Sequence, residues 1–98
     1  MLIRIVRMTF HEEKVENFLA IFNDSKHKIR RFEGCQHLEL LQDKNFPNIF
    51  STYSYWESEN HLNTYRDSEL FKNVWTSTKV LFVEKPIAFS SERVELIN

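Results

Sequence analysis

The sequence predicts an α+β domain of ferredoxin-like topology, β-α-β-β-α-β, with two helices covering one face of a four-stranded antiparallel sheet. Three observations carry this prediction. Short runs rich in β-branched and aromatic residues, LIRIVRMT at 2–9, CQHLELLQ at 35–42 and IFSTYSYW at 49–56, have the length and composition of strands. Two longer stretches, one between the first two runs and one after the third, place apolar residues at helical spacing. Gly34, the chain's single glycine, stands where the first helical stripe gives way to the second strand.

Taken in order, residues 2–9 alternate two sets of side chains, Ile3, Ile5 and Arg7 against Leu2, Arg4, Val6 and Met8. From about residue 12, Val15, Phe18, Leu19, Phe22, Ile29 and Phe32 form the first helical stripe. Glu12 and Glu13 suit its positive start, the cations of KHKIRR at 26–31 its negative end, and Gly34 a left-handed terminator. After the second strand, DKNFPN at 43–48 supplies turn formers ahead of the third. Ser58 and Ser68 are each placed to cap a helix, so two short helices or one bent helix fit the stretch that carries Leu62, Tyr65, Phe71, Val74, Trp75, Thr78 and Phe82. Glu84, Lys85 and Pro86 stop it, and IAFSSERVEL at 87–96 reads as the last strand.

Both sheet faces are apolar, which an antiparallel sheet wetted on one side would not be. The third strand puts Phe50 and Trp56 on one side and Ile49, Tyr53 and Tyr55 on the other. The expected remedy for the surplus apolar face is a homodimer, open sheet against open sheet, with the two tyrosines forming interface hydrogen bonds.

Ninety-eight residues suit one domain, residues 1–98, with no repeat, linker or low-complexity tract. Thirteen Lys and Arg against fourteen Asp and Glu give a net charge of -1, which provides no field for nucleic acid or anionic lipid. A single glycine excludes multi-glycine phosphate loops, and Cys35 and the four histidines lack metal-site spacing, so neither a nucleotide cofactor nor a metal is expected. One cysteine, and the lack of any signal-like or membrane-spanning run, lead to the expectation of a cytoplasmic protein with no membrane partner.

The pattern FEGC at 32–35, YWES at 55–58, and Ser68 followed by Phe71 resembles the antibiotic biosynthesis monooxygenase family over residues 1 to about 95. The resemblance implies a small dimeric α+β barrel with a ligand cavity between sheet and helices. It also implies one of several chemistries: cofactor-free oxidation of quinols or polycyclic aromatics, haem degradation, or isomerisation of a phosphorylated sugar-like signal. Haem-degrading relatives place Asn, Trp and His where this chain has Arg7, Tyr65 and Trp75, and an indole cannot ligate iron. Other relatives place His at Tyr65 and Leu70 and Glu at Ser54. These changes favour a cofactor-independent monooxygenase-like enzyme for a small aromatic or quinol-type molecule, with a non-catalytic module that binds a small apolar ligand as the alternative.

Four residues are the candidates for catalysis. Arg7, taken to face the helices with Ile3 and Ile5, would hold an oxyanion, against the plainer assignment of an Arg snorkelling at a strand end. His37 carries an imidazole and is the base by chemistry, although its strand face, shared with Glu39, suits an interface or edge histidine. Tyr65 and Trp75 face inward on the second helical stretch, as core or as ligand-bonding walls. His11 and His61 are expected on the exposed side, and Cys35 as a packed residue and not a nucleophile.

Overall fold

The computed structural model describes all of residues 1–98. Strand β1 is Leu2–Thr9, followed by a single 3-10 turn, Glu12–Lys14, that runs into helix α1, Val15–Arg30. Strands β2, Cys35–Gln42, and β3, Ile49–Trp56, form a hairpin, and two helices, α2 at Glu59–Arg66 and α3 at Glu69–Lys79, lead to β4, Ile87–Glu92. The sheet is antiparallel throughout in the order β2-β3-β1-β4, the ferredoxin-like arrangement expected. The last strand ends at Glu92, four residues short of the expected end. No helix is long and apolar enough to cross a membrane.

Local chemistry sets the boundaries. Gly34 takes φ +89°, and a Cβ there would collide with the His61 side chain, so only glycine fits between α1 and β2. The second helical stretch is two helices because each has its own cap: Ser58 accepts from the His61 N–H at 3.2 Å, and Ser68 from the Phe71 N–H at 3.1 Å.

Two apolar clusters hold the helices on the sheet. Leu2, Ile29, Cys35, Trp56, Leu62 and Tyr65 form one, at the end where β1 begins. Met8, Phe10, Phe18, Phe50 and Leu81 form the other, at the opposite end. The helix-facing side of β1 is therefore Leu2, Arg4, Val6 and Met8, and Ile3, Ile5 and Arg7 lie on the open face. This corrects the expected orientation of Arg7. With both sides of β1 apolar, alternation alone could not say which set met the helices.

Candidate functional site

Between the two clusters the sheet's helix-facing side chains become small or polar. Trp56 and Phe50 close the two ends of β3, but Ser54 and Thr52 lie between them; alongside, Arg4 pairs with Ser54, and Val6 with both Thr52 and Ala88. Helix α3 packs on α1 and has few contacts with the sheet beneath it. The result is a cavity of about 260 Å³ between the middle of the sheet and α2–α3. A mainly apolar pocket of this size, open at one side, has the character of a ligand site.

A chain of aromatic rings forms its wall. Trp56 stacks on Tyr65 with centroids 4.9 Å apart, Tyr65 meets Phe71 edge-on at 5.2 Å, and Phe71 stacks on Trp75 at 5.8 Å and 11°. Trp75 in turn meets Phe82 at 5.6 Å. The i, i+4 spacing of Phe71 and Trp75 puts both on the inner side of α3, where they stay half-buried because they border open space.

The polar groups at the cavity are two guanidinium groups, a phenol, an indole N–H and the hydroxyls of Thr52, Ser54 and Thr78. Trp56, 1% exposed, gives its indole N–H to Ser54 Oγ at 3.0 Å, leaving no buried polar atom unpaired there. Tyr65 lines the cavity and makes no side-chain hydrogen bond in the protein, and since every fully buried polar atom is paired, its hydroxyl keeps some accessible surface. Burial, with a smaller contribution from the nearby Cys35 thiol, pushes the Tyr65 phenol far above its ordinary range, so it stays protonated and donates. Arg4 and Arg66 also line the cavity, and exposed Arg66 and Ala88 mark its mouth. No carboxylate and no imidazole line it.

The four expected site residues thus divide into two pairs. Tyr65 and Trp75 meet at the cavity. Arg7 and His37 do not, since both project from the open face: Arg7 lies 3.9 Å from Asp43 Oδ1, and His37 stacks on Tyr55 at 4.6 Å with Nε2 3.3 Å from Glu39. Arg7 therefore cannot occupy a slot facing the helices, because its neighbours of opposite parity, Val6 and Met8, take that side. His37 lies beyond a bulge that lets it and Cys35, two residues apart, face opposite ways. Cys35 is buried, and burial raises its thiol above the ordinary range, in keeping with a packed residue. His61 is held by Ser58 Oγ at 2.7 Å from Nδ1. No group of three or more His, Cys, Asp or Glu is arranged to hold a metal.

Arg4, Ser54 and Arg66 were missed as site residues. The signal for the first two was the order of sizes along each strand, large–small–small–large on β3 and Leu-Arg-Val-Met on β1, which marks a gap in a core that would otherwise be continuous.

The model of the antibiotic biosynthesis monooxygenase family matches residues 1–75, about three quarters of the chain. This chain belongs to that family. The matched span contains every cavity residue named above except Phe82 and Ala88. A crystal structure of an antibiotic biosynthesis monooxygenase superposes with a TM-score of 0.91 at 18% identity, covering 97% of this chain and 100% of the other. A conserved protein from Methanosarcina mazei Go1 gives 0.89 at 20% identity over 95% and 93% of the two chains. A Mycobacterium tuberculosis protein gives 0.90 at 13% over 99% and 98%. At these identities the likeness establishes the fold and no chemistry. No curated protein sequence matches the chain.

Ser54 links this family scaffold to the cavity wall. Ser54→Ala is expected to lower stability by about 1–3 kcal/mol, because it leaves a buried indole N–H without an acceptor. Urea denaturation checks this, and an unchanged midpoint would mean that the Trp56 N–H finds another partner.

Proposed function

We propose that this member of the antibiotic biosynthesis monooxygenase family oxygenates a small aromatic or quinol-type molecule in the cavity between sheet and helices, without a tightly held cofactor. The observation that carries the reading is an aromatic-walled cavity that Arg4, Arg66 and Tyr65 supply with donors and that no carboxylate or imidazole lines. Cofactor-free oxygenation suits such a site, because the deprotonated substrate itself reduces dioxygen and the protein need only bind the ring, stabilise the anion and exclude water.

The ring lies against Phe71 and Trp75, and its phenolic oxygen accepts from the Tyr65 hydroxyl. With no carboxylate or imidazole on the wall, the phenolic proton leaves to solvent. Dioxygen takes electrons from the anion and bonds to the activated ring carbon. The one C–H bond at that carbon then gives up its proton as the O–O bond breaks, leaving one oxygen as a carbonyl and the other as hydroxide, which solvent protonates to water; the phenolate electron pair and that C–H bond supply the four electrons. Tyr65 and Trp75 are the proposed catalytic pair, and Arg7 and His37 are assigned to the open face. Oxygen uptake over a panel of quinols and anthrone-like phenols tests this. Protein-dependent uptake with one of them is expected; none with any would favour the non-catalytic ligand-binding module.

The whole of residues 1–98 is proposed to act as one cytoplasmic domain, without nucleic-acid or membrane partners, that pairs with a second copy through the open face. Ile3, Ile5, Tyr53 and Tyr55 remain only half-buried there, beside exposed Leu41, Ile87 and Phe89. Ile5 sits at its centre, paired with Tyr53 on one side and Phe89 on the other. Ile5→Glu places a charge in the proposed seam and is expected to move the sedimenting species from twice 11.9 kDa to a single chain. A wild-type protein that already sediments as one chain would contradict the pairing.

A further inference from the structure

Arg4 and Arg66 are unusual among the charges of this chain. Both border one otherwise apolar cavity, where no acid side chain accompanies them. Neither takes part in any of the four ion pairs of the fold, and Asp67, next in sequence to Arg66, does not pair with it. Arg4 makes one side-chain hydrogen bond, to the neutral Ser90 hydroxyl at 3.2 Å. Half-buried, it also feels the like charge of Arg66, and burial first and this repulsion second lower its affinity for a proton. Two guanidinium groups that border one cavity without an acidic partner would both be drawn to an anion lying between them. A guanidinium fork matches the two oxygens of a carboxylate or phosphate, whereas a neutral ligand would leave both forks to water.

Resting on the reading of this cavity as an aromatic-binding site, we infer that its ligand carries an oxyanion, carboxylate or phosphate, which Arg4 and Arg66 clamp at the mouth while the ring lies against Phe71 and Trp75. The two arginines then decide which aromatic molecules are accepted. Neutral quinols of the same shape fit the wall but lose the clamp.

Isothermal titration of the full chain with 2-naphthoate, 2-naphthyl phosphate and the neutral isostere 2-naphthamide tests this. At least one anion is expected to bind about 10-fold or more tightly than the amide, the factor that one charge-assisted hydrogen bond supplies. That gap should narrow as salt is added. The tighter of the two anions identifies the acid group. Arg4→Gln and Arg66→Gln should each shrink the anion-to-amide ratio, and the double variant should bring it near one. Since Arg66 is exposed at a helix end, its variant is expected to fold even if Arg4→Gln does not. Equal binding of anions and amide, or a preference that survives both substitutions, would overturn the inference and leave the aromatic cavity standing. Binding of none of the three would remove both.

Discussion

Tyr65→Phe is expected to slow turnover by on the order of 10²-fold while leaving the affinity for the aromatic ring nearly unchanged. The hydroxyl has no hydrogen-bond partner in the protein and is not fully buried, so its loss strands no buried group and removes no hydrogen bond that holds the fold. The phenyl ring would still stack on Trp56 and meet Phe71. What is lost is a donor aimed at a substrate oxygen. Burial keeps that donor protonated, since it pushes the phenol well above its usual range. A hydrogen bond to an oxygen gaining negative charge strengthens as the charge develops, and low surrounding polarity magnifies it. The effect should therefore fall on kcat and kcat/KM together. Steady-state oxygen consumption measures both. A raised KM with unchanged kcat would show that the hydroxyl only binds the ground state.

Phe10→Ala is expected to destabilise the fold by about 3–5 kcal/mol, a large share of the roughly 5–15 kcal/mol typical of a domain. Phe10 is fully buried, its ring stacked 4.2 Å from Phe18 and packed against Phe82 at 5.4 Å and Phe50 at 6.2 Å. Its backbone is fixed as well, with its N–H on the Asn48 carbonyl at 2.9 Å and its carbonyl accepting from Asn48 Nδ2 at 2.8 Å. Strand β1, the β2–β3 hairpin and the segment after α3 all converge on this ring, so the neighbours cannot collapse into the space it leaves. Phe10→Leu, which keeps most of the volume, should lose less than half as much. Denaturation midpoints compared at one protein concentration check both, because any self-association adds to apparent stability. A loss below about 1 kcal/mol would mean that the site relaxes freely.

Much of the fold could be read in the chain because local and long-range preferences agree. The runs at 2–9, 35–42 and 49–56 coincide with the three strands, and Gly34 does take the left-handed conformation. The last strand is shorter than its alternation predicts: VEL at 94–96 alternates like a strand, but Val94 is almost wholly exposed, and the Arg93 N–H, 3.5 Å from the Met1 carbonyl, is the last link back to the sheet. The site was less legible. Arg4 and Arg7 sit on one strand, β1, that is apolar on both sides, and parity can be assigned only once Leu2 and Met8 are known to join the clusters of Trp56 and Phe50. The cavity is made by small side chains and carries no imidazole or carboxylate, so residue chemistry alone does not mark it. Ser54, Thr52 and Ala88 matter for the volume they leave, which appears only when strands are laid side by side.

The two tryptophans allow the occupied cavity to be observed directly, since both line it. When 2-naphthol is titrated into ¹⁵N-labelled protein, the Trp75 and Trp56 indole signals and the amides of Tyr65 and Phe71 should shift together. The amides of Ile3, Ile5 and Tyr53 should hardly move. Shifts confined to Ile3, Ile5 and Tyr53, or none at all up to the solubility of the probe, would contradict a ligand site between helices and sheet.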